Sequence, residues 1–169
     1  MSSLIFVGIF VLRDGRTVTT SFTKRSGEMG TVTHALYTTS VVCRLPPDLP
    51  AELRMYYRAT DSLYADRTVA LVIAKGYVPP GDVAGDLLLD AIHVAPLPAS
   101  GDPNDEDFPQ TLPNFEWPLI FALGSVSGAS ATLPEGQVSF PVSASEFVRS
   151  STKSTTLLCA LFYFYSVTP

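Results

Sequence analysis

Charge is scarce in this chain. Only 16% of its 169 residues are Asp, Glu, Lys or Arg, against about 25% in an ordinary soluble domain. There are two histidines, two cysteines and one tryptophan. Two cysteines cannot supply the disulfide framework of a small secreted domain. Cys43 and Cys159 each sit in an apolar, strand-like run and read as buried thiols, or as a bridge if their strands are neighbours. With His34 and His93 they lack the short paired spacing of a zinc site. A basic excess is also missing. The net charge of -5 disfavours a generally basic polyanion binder. The apolar runs Leu4–Leu12 and Leu157–Tyr165 are too short to span a bilayer as helices. No basic leader or small-residue cleavage site precedes the first. The expectation is an intracellular protein, cytoplasmic or nuclear, with no membrane partner and no cofactor.

Catalytic and ligand motifs are equally thin. Neither Gly-rich phosphate fingerprint occurs. Ser150 and Lys153 form an S-x-x-K spacing, but the S-D-N element that acyl-transfer enzymes add to it is absent. The acidic stretch GDPNDEDFPQTLPNF, residues 101–115, places Asp102, Asn104 and Glu106 at alternating positions. A calcium loop then requires glycine at its sixth position and glutamate at its twelfth, where Asp107 and Pro113 stand. The segment therefore reads as a solvated connector over 98–116, its prolines limiting its freedom. Phe108 and Phe115 are its candidate anchors. No metal ligands and no catalytic residues are assigned.

What the chain does have is strand chemistry. It holds ten Phe, seven Tyr, fourteen Pro and eleven Gly, a composition of short strands and frequent turns. Asp14-Gly15 reads as a hairpin turn, and residues 24–30 as a polar loop. Strands are expected at 34–45, 52–59, 67–80, 87–97, 117–127 and 154–167, with a short strand or edge at 136–142. Asp90 interrupts the apolar LLLDAIHVA run, and Arg54 or Arg58 is its candidate partner. Ser143 and Glu146 match a capping box, which predicts a short helix at 144–151. The expected fold is all-β: one domain over 1–169, an antiparallel β-barrel (OB-like) or a Greek-key β-sandwich, plus that helix.

Charge is also unevenly spread. Residues 1–80 hold nine Lys/Arg and six Asp/Glu, a balance of +3, and residues 81–169 hold two and ten, a balance of -8. The basic half carries the candidate site: Arg54, Tyr56 and Arg58 alternating on one strand, with Arg13 and Arg16 at the hairpin tip and Lys24 and Arg25 in the following loop as the other basic features. Guanidiniums beside rings hold single-stranded nucleic acid without reading its sequence. The leading expectation is nevertheless a non-catalytic protein-interaction or structural domain, with a protein partner or self-association through edges at 51–58 and 136–142. Single-stranded nucleic-acid binding is the alternative. A small hydrolase is the second alternative; it needs His34 or His93 beside a carboxylate and a nucleophile.

Overall fold

The computed structural model describes residues 3–42, 48–58, 60–79, 86–97, 118–132, 138–149 and 151–161, the last four as backbone only. The connector at 98–116, Cys43 and the strand expected beyond 161 lie almost wholly outside these residues.

Ten strands make up the regular structure among the described residues: β1 (Ser3–Thr23), β2 (Met29–Val41), β3 (Leu49–Tyr56), β4 (Thr68–Tyr77), β5 (Leu87–Pro96), β6 (Leu119–Leu123), β7 (Ser125–Val126), β8 (Ala131–Thr132), β9 (Val138–Val148) and β10 (Ser151–Leu161). The first five pair in the closed circuit β1–β2–β3–β5–β4–β1. Closure removes the edges that an open sheet would expose. One junction is parallel, where Ala51–Arg54 of β3 runs beside Leu87–Asp90 of β5. The remaining four are antiparallel.

Strand alternation fills the barrel. Leu4, Phe6, Phe10 and Leu12 of β1 point inward with Tyr37, Leu53, Val72 and Leu89 from its neighbours, all at 2% exposure or less. Truncating one such side chain to alanine costs about 2–5 kcal/mol.

Asp14-Gly15 does not end a hairpin. β1 runs straight through it, and its register against β2 shifts between Arg13 and Arg16. Before the bulge β1 pairs with β4 through residues 5–12; after it, with β2 through 16–23. The one extra residue on β1 bends the strand around a barrel corner. Asp14 takes a φ of 51° there, a conformation Asp tolerates better than most residues. Its carboxylate accepts a hydrogen bond from Thr38 Oγ1 at 2.6 Å. Gly15 lies under the Tyr37 ring, where an added Cβ would come within 2.7 Å of a ring carbon.

The expected helix at 144–151 is a strand. Val142, Ala144, Glu146 and Val148 of β9 are buried at every second position, a period of two rather than 3.6. Ser143 pairs with Thr156 of β10 instead of capping anything. Glu146, taken for the box's second member, is the polar residue on the buried face. It accepts hydrogen bonds from Ser3 Oγ (2.8 Å) and Lys75 Nζ (3.0 Å), which fasten the second sheet to the barrel. The single antiparallel barrel or sandwich with one helix is thus corrected. The described fold is all-β, with one parallel junction, a second four-stranded sheet β10-β9-β7 with β8 beside β9, and no helix.

That second sheet lies over the outside of β1 and β4. Thr155 Oγ1 meets the backbone of Val78 at 3.1 Å, and Lys153 Nζ sits 5.0 Å above the Tyr77 ring. Both strands expected to be free edges are paired on two sides. β3 lies between β2 and β5, and β9 between β10 and β7/β8. Pro141 is tolerated inside β9 because it faces the interval between β7 and β8, where Ser127 N–H donates to its carbonyl and no amide is demanded of it. Among the described residues, no strand of the second sheet lies over the outer wall of β1–β2–β3 beyond the bulge.

Candidate nucleic-acid interface

Cross-strand register stacks side chains into rows on this wall. Arg16 of β1 stands opposite Leu36 of β2, which stands opposite Arg54 of β3 and then Asp90 of β5. One step along, Val18, His34 and Tyr56 form the next row. Phe22 lies further on, its ring against Gly30. Tyr56 is 61% exposed and Phe22 45%. A groove of about 180 Å³ runs between the rows, lined by Val18, Thr20, His34, Leu36, Glu52, Arg54 and Arg149. It is smaller than the roughly 300–1,000 Å³ of enclosed small-molecule sites.

The charges along the groove form one chain. Arg16 pairs with Glu52 at 2.7 Å. Glu52 pairs with Arg149 at 3.0 Å, and Arg149 with Asp90 at 3.2 Å. Asp90 accepts both Nε (2.9 Å) and Nη2 (2.5 Å) of Arg54. Three guanidiniums against two carboxylates leave the wall at +1. Asp90 is therefore explained by Arg54, one of the two partners the sequence offers. Burial pushes the Arg149 guanidinium below its usual range, opposed by Asp90 and Glu52. Desolvation, helped by Arg54 and Arg149, likewise lowers His34, so at neutral pH it is an uncharged ring.

The expected site residues divide into three groups. Arg16, Arg54 and Tyr56 share the wall. Arg13 lies on β1 just before the bulge, exposed. Lys24 and Arg25 belong to the exposed β1–β2 turn, where Lys24 pairs with Glu28 at 3.2 Å. Arg58 does not continue the β3 alternation, because the strand ends at Tyr56. Its backbone enters a turn closed by Asp61, whose Oδ2 accepts the Arg58 N–H at 2.8 Å. Among the described residues, Arg13, Arg25 and Arg58 have no carboxylate partner for their side chains.

Sequence reasoning missed Arg149. It sits in the β9–β10 turn with a φ of 55°, 59 residues from Asp90 and 97 from Glu52. No local spacing announces such a contact. His93 is exposed on β5, turned outward by the bulge opposite Ile73 and Ala74. His34 makes no side-chain hydrogen bond to a carboxylate or hydroxyl among the described residues. Among the described residues, neither histidine forms the carboxylate and nucleophile contacts a hydrolase needs. No group of three metal-ligating side chains occurs among the described residues, and no helix there is long and apolar enough to cross a membrane.

No protein-family model matches the sequence, and no curated protein matches it. The crystal structure of a deletion and substitution variant of the single-stranded DNA binding protein from Thermus aquaticus is similar over 94% of this chain and 74% of that one, at 13% identity and a TM-score of 0.43. This is a weak likeness of strand architecture.

Proposed function

We propose that this chain binds single-stranded nucleic acid across the outer wall of β1–β2–β3. The observation that carries the reading is the pair of adjacent rows, Arg16–Leu36–Arg54 and Val18–His34–Tyr56. They set guanidiniums beside an exposed tyrosine and an uncharged imidazole, next to a shallow groove rather than a closed pocket. Bases stack on Tyr56 and Phe22, and phosphates track Arg13, Arg25 and Arg58, with Lys24 beside them. Arg16 and Arg54 hold the wall's shape while paired to Glu52 and Asp90. A five-stranded OB-type barrel uses the corresponding strand 2–3 face for oligonucleotides. The acidic total of -5 is compatible with this because the excess acid lies in the second half of the chain. The reading places the protein where such strands occur, in the cytoplasm or nucleus.

The test is fluorescence anisotropy of a labelled oligothymidylate across a salt series. Three unpaired cations predict a slope of about -2 in log affinity against log salt, at roughly -0.7 per phosphate for single strands. Absence of saturable binding at low salt, or a slope of zero, overturns the reading.

A second reading, docking of a protein partner or another copy, is favoured by β6. Leu119, Ile120, Phe121 and Leu123 are each 48–59% exposed on a strand that pairs only with β1 among the described residues. Exposed apolar strands of this kind recruit partners. Sedimentation that stays monomeric across a concentration series, together with a clean nucleic-acid titration, decides for the first reading.

A further inference from the structure

The same strands that build the nucleic-acid wall build a second concavity on their opposite face. Where β2 and β3 turn His34, Leu36, Arg54 and Tyr56 outward, they turn Ala35, Tyr37 and Met55 inward, and Tyr57, one residue past the end of β3, joins them. At the end of the barrel these inward residues, with Asp61, Ser62 and Tyr64 of the β3–β4 connection, line a cavity of about 300 Å³. Its lining holds three tyrosines, one thioether and one carboxylate. It holds no lysine, arginine or histidine.

We propose that this cavity binds a small organic cation, of the methylated or quaternary ammonium class. Aromatic faces are negative and attract such cations, most strongly when water is excluded. The sulfur of Met55 adds polarisable surface. Asp61 supplies the only formal charge in the lining. Its Oδ2 accepts the Arg58 N–H, and its Oδ1 has no hydrogen-bond donor among the described residues. A methylated ammonium demands aromatic or thioether contact and a nearby negative charge, and the three rings, Met55 and Asp61 supply those groups at one place.

The rings are held in place before any ligand arrives. Tyr37 Oη accepts the backbone N–H of Tyr64 at 2.9 Å. Tyr57 Oη donates to the Asp61 carbonyl at 2.6 Å. Tyr37 and Tyr64 pack with centroids 6.2 Å apart and a tilt of 33°. With the Tyr37 and Tyr57 hydroxyls already bound, these two rings have little side-chain freedom left to lose on binding. Tyr37 is buried and forms the floor; Tyr57, Tyr64 and Met55 are half-exposed and form the walls. This site does not depend on the nucleic-acid reading, because alternation puts the two on opposite faces of β2 and β3.

The test is an NMR titration of the full chain with tetramethylammonium and choline, reading the Met55 methyl and the tyrosine rings. The neutral isostere 3,3-dimethylbutan-1-ol and the variant Asp61→Asn are the comparisons. The expected result is saturable shifts at Met55, Tyr57 and Tyr64, with affinity about tenfold weaker for the alcohol and for D61N. Equal binding of the neutral isostere makes this an apolar crevice and overturns the proposal. So does a lack of saturable shifts for either cation. The isostere arm stands even if D61N fails to fold.

Discussion

Arg149 donates its backbone N–H to the Asp90 carboxylate at 2.8 Å, so the turn of the second sheet is tied to the seam between β3 and β5. The same residue reaches Glu52 twice through Nη2, at the carbonyl (2.9 Å) and at the carboxylate (3.0 Å). Its side chain is 15% exposed, and those of Asp90 and Glu52 are 16% and 25%. Removing one member of such a network strands the others. Arg149→Ala is expected to destabilise the fold by about 3 kcal/mol, read as a lower urea midpoint at constant slope. Arg149→Lys recovers part of this, since an ammonium cannot span both carboxylates with a planar fork.

Glu146 makes stability depend on acid. Burial works against its charged form, but hydrogen bonds from Lys75, Ser3 and the N–H groups of Phe147 and Leu4 outweigh it and hold the carboxyl below its usual range. A carboxyl depressed in the folded state stabilises fully above the range where the unfolded chain's glutamate titrates. That contribution is lost as pH falls through that range toward the lower folded value. Thermal midpoints of the wild type should therefore fall on acidification more steeply than those of Glu146→Gln. Parallel curves would show that Glu146 does not carry this linkage.

The strands were legible in the sequence and their partners were not. The 52–59 and 87–97 runs announced β3 and β5 by composition, but nothing local said that they would pair in parallel. Ser143 and Glu146 fitted a helix cap as well as a strand. The period of two from Val142 to Val148 was disguised because Glu146 occupies a buried position made habitable by Ser3, Lys75, the Leu4 amide from β1 and the neighbouring Phe147 amide. Asp14-Gly15 carried a true signal for an irregular backbone; whether it reverses the chain or bends it depends on which strands lie beside it. Of the candidate site, Arg54 and Tyr56 were readable from alternation, while Arg16, expected at a hairpin tip, reaches the wall because β1 runs on past Asp14-Gly15. Arg149 was not, because its partners are far along the chain.

Gly76 illustrates close packing inside the barrel. A Cβ there would lie 2.2 Å and 2.4 Å from two carbons of the Phe6 ring, and that ring is 2% exposed. It has no solvent to move into. Gly76→Ala is expected to cost about 2 kcal/mol, checked by denaturant unfolding, with Phe6→Leu in the same chain recovering part of the loss.

His34 should give nucleic-acid binding a pH dependence. Its proton affinity is lowered by burial and by Arg54 and Arg149. A phosphate brought to the wall favours the protonated ring and raises that affinity. Binding then takes up a proton, so affinity should rise as pH drops through and below the ordinary histidine range. His34→Gln should flatten the profile, measured by anisotropy at fixed salt.

The most direct measurement is a map of where an oligothymidylate touches the protein, by amide and side-chain shifts in the full chain. The account predicts perturbations concentrated on Val18, Thr20, Phe22, His34, Leu36 and Tyr56, with about a tenfold loss of affinity in Tyr56→Ala and no change in its thermal midpoint. Shifts confined to β6 or the β9–β10 sheet, or a Tyr56→Ala variant that binds as well as the wild type, would contradict it.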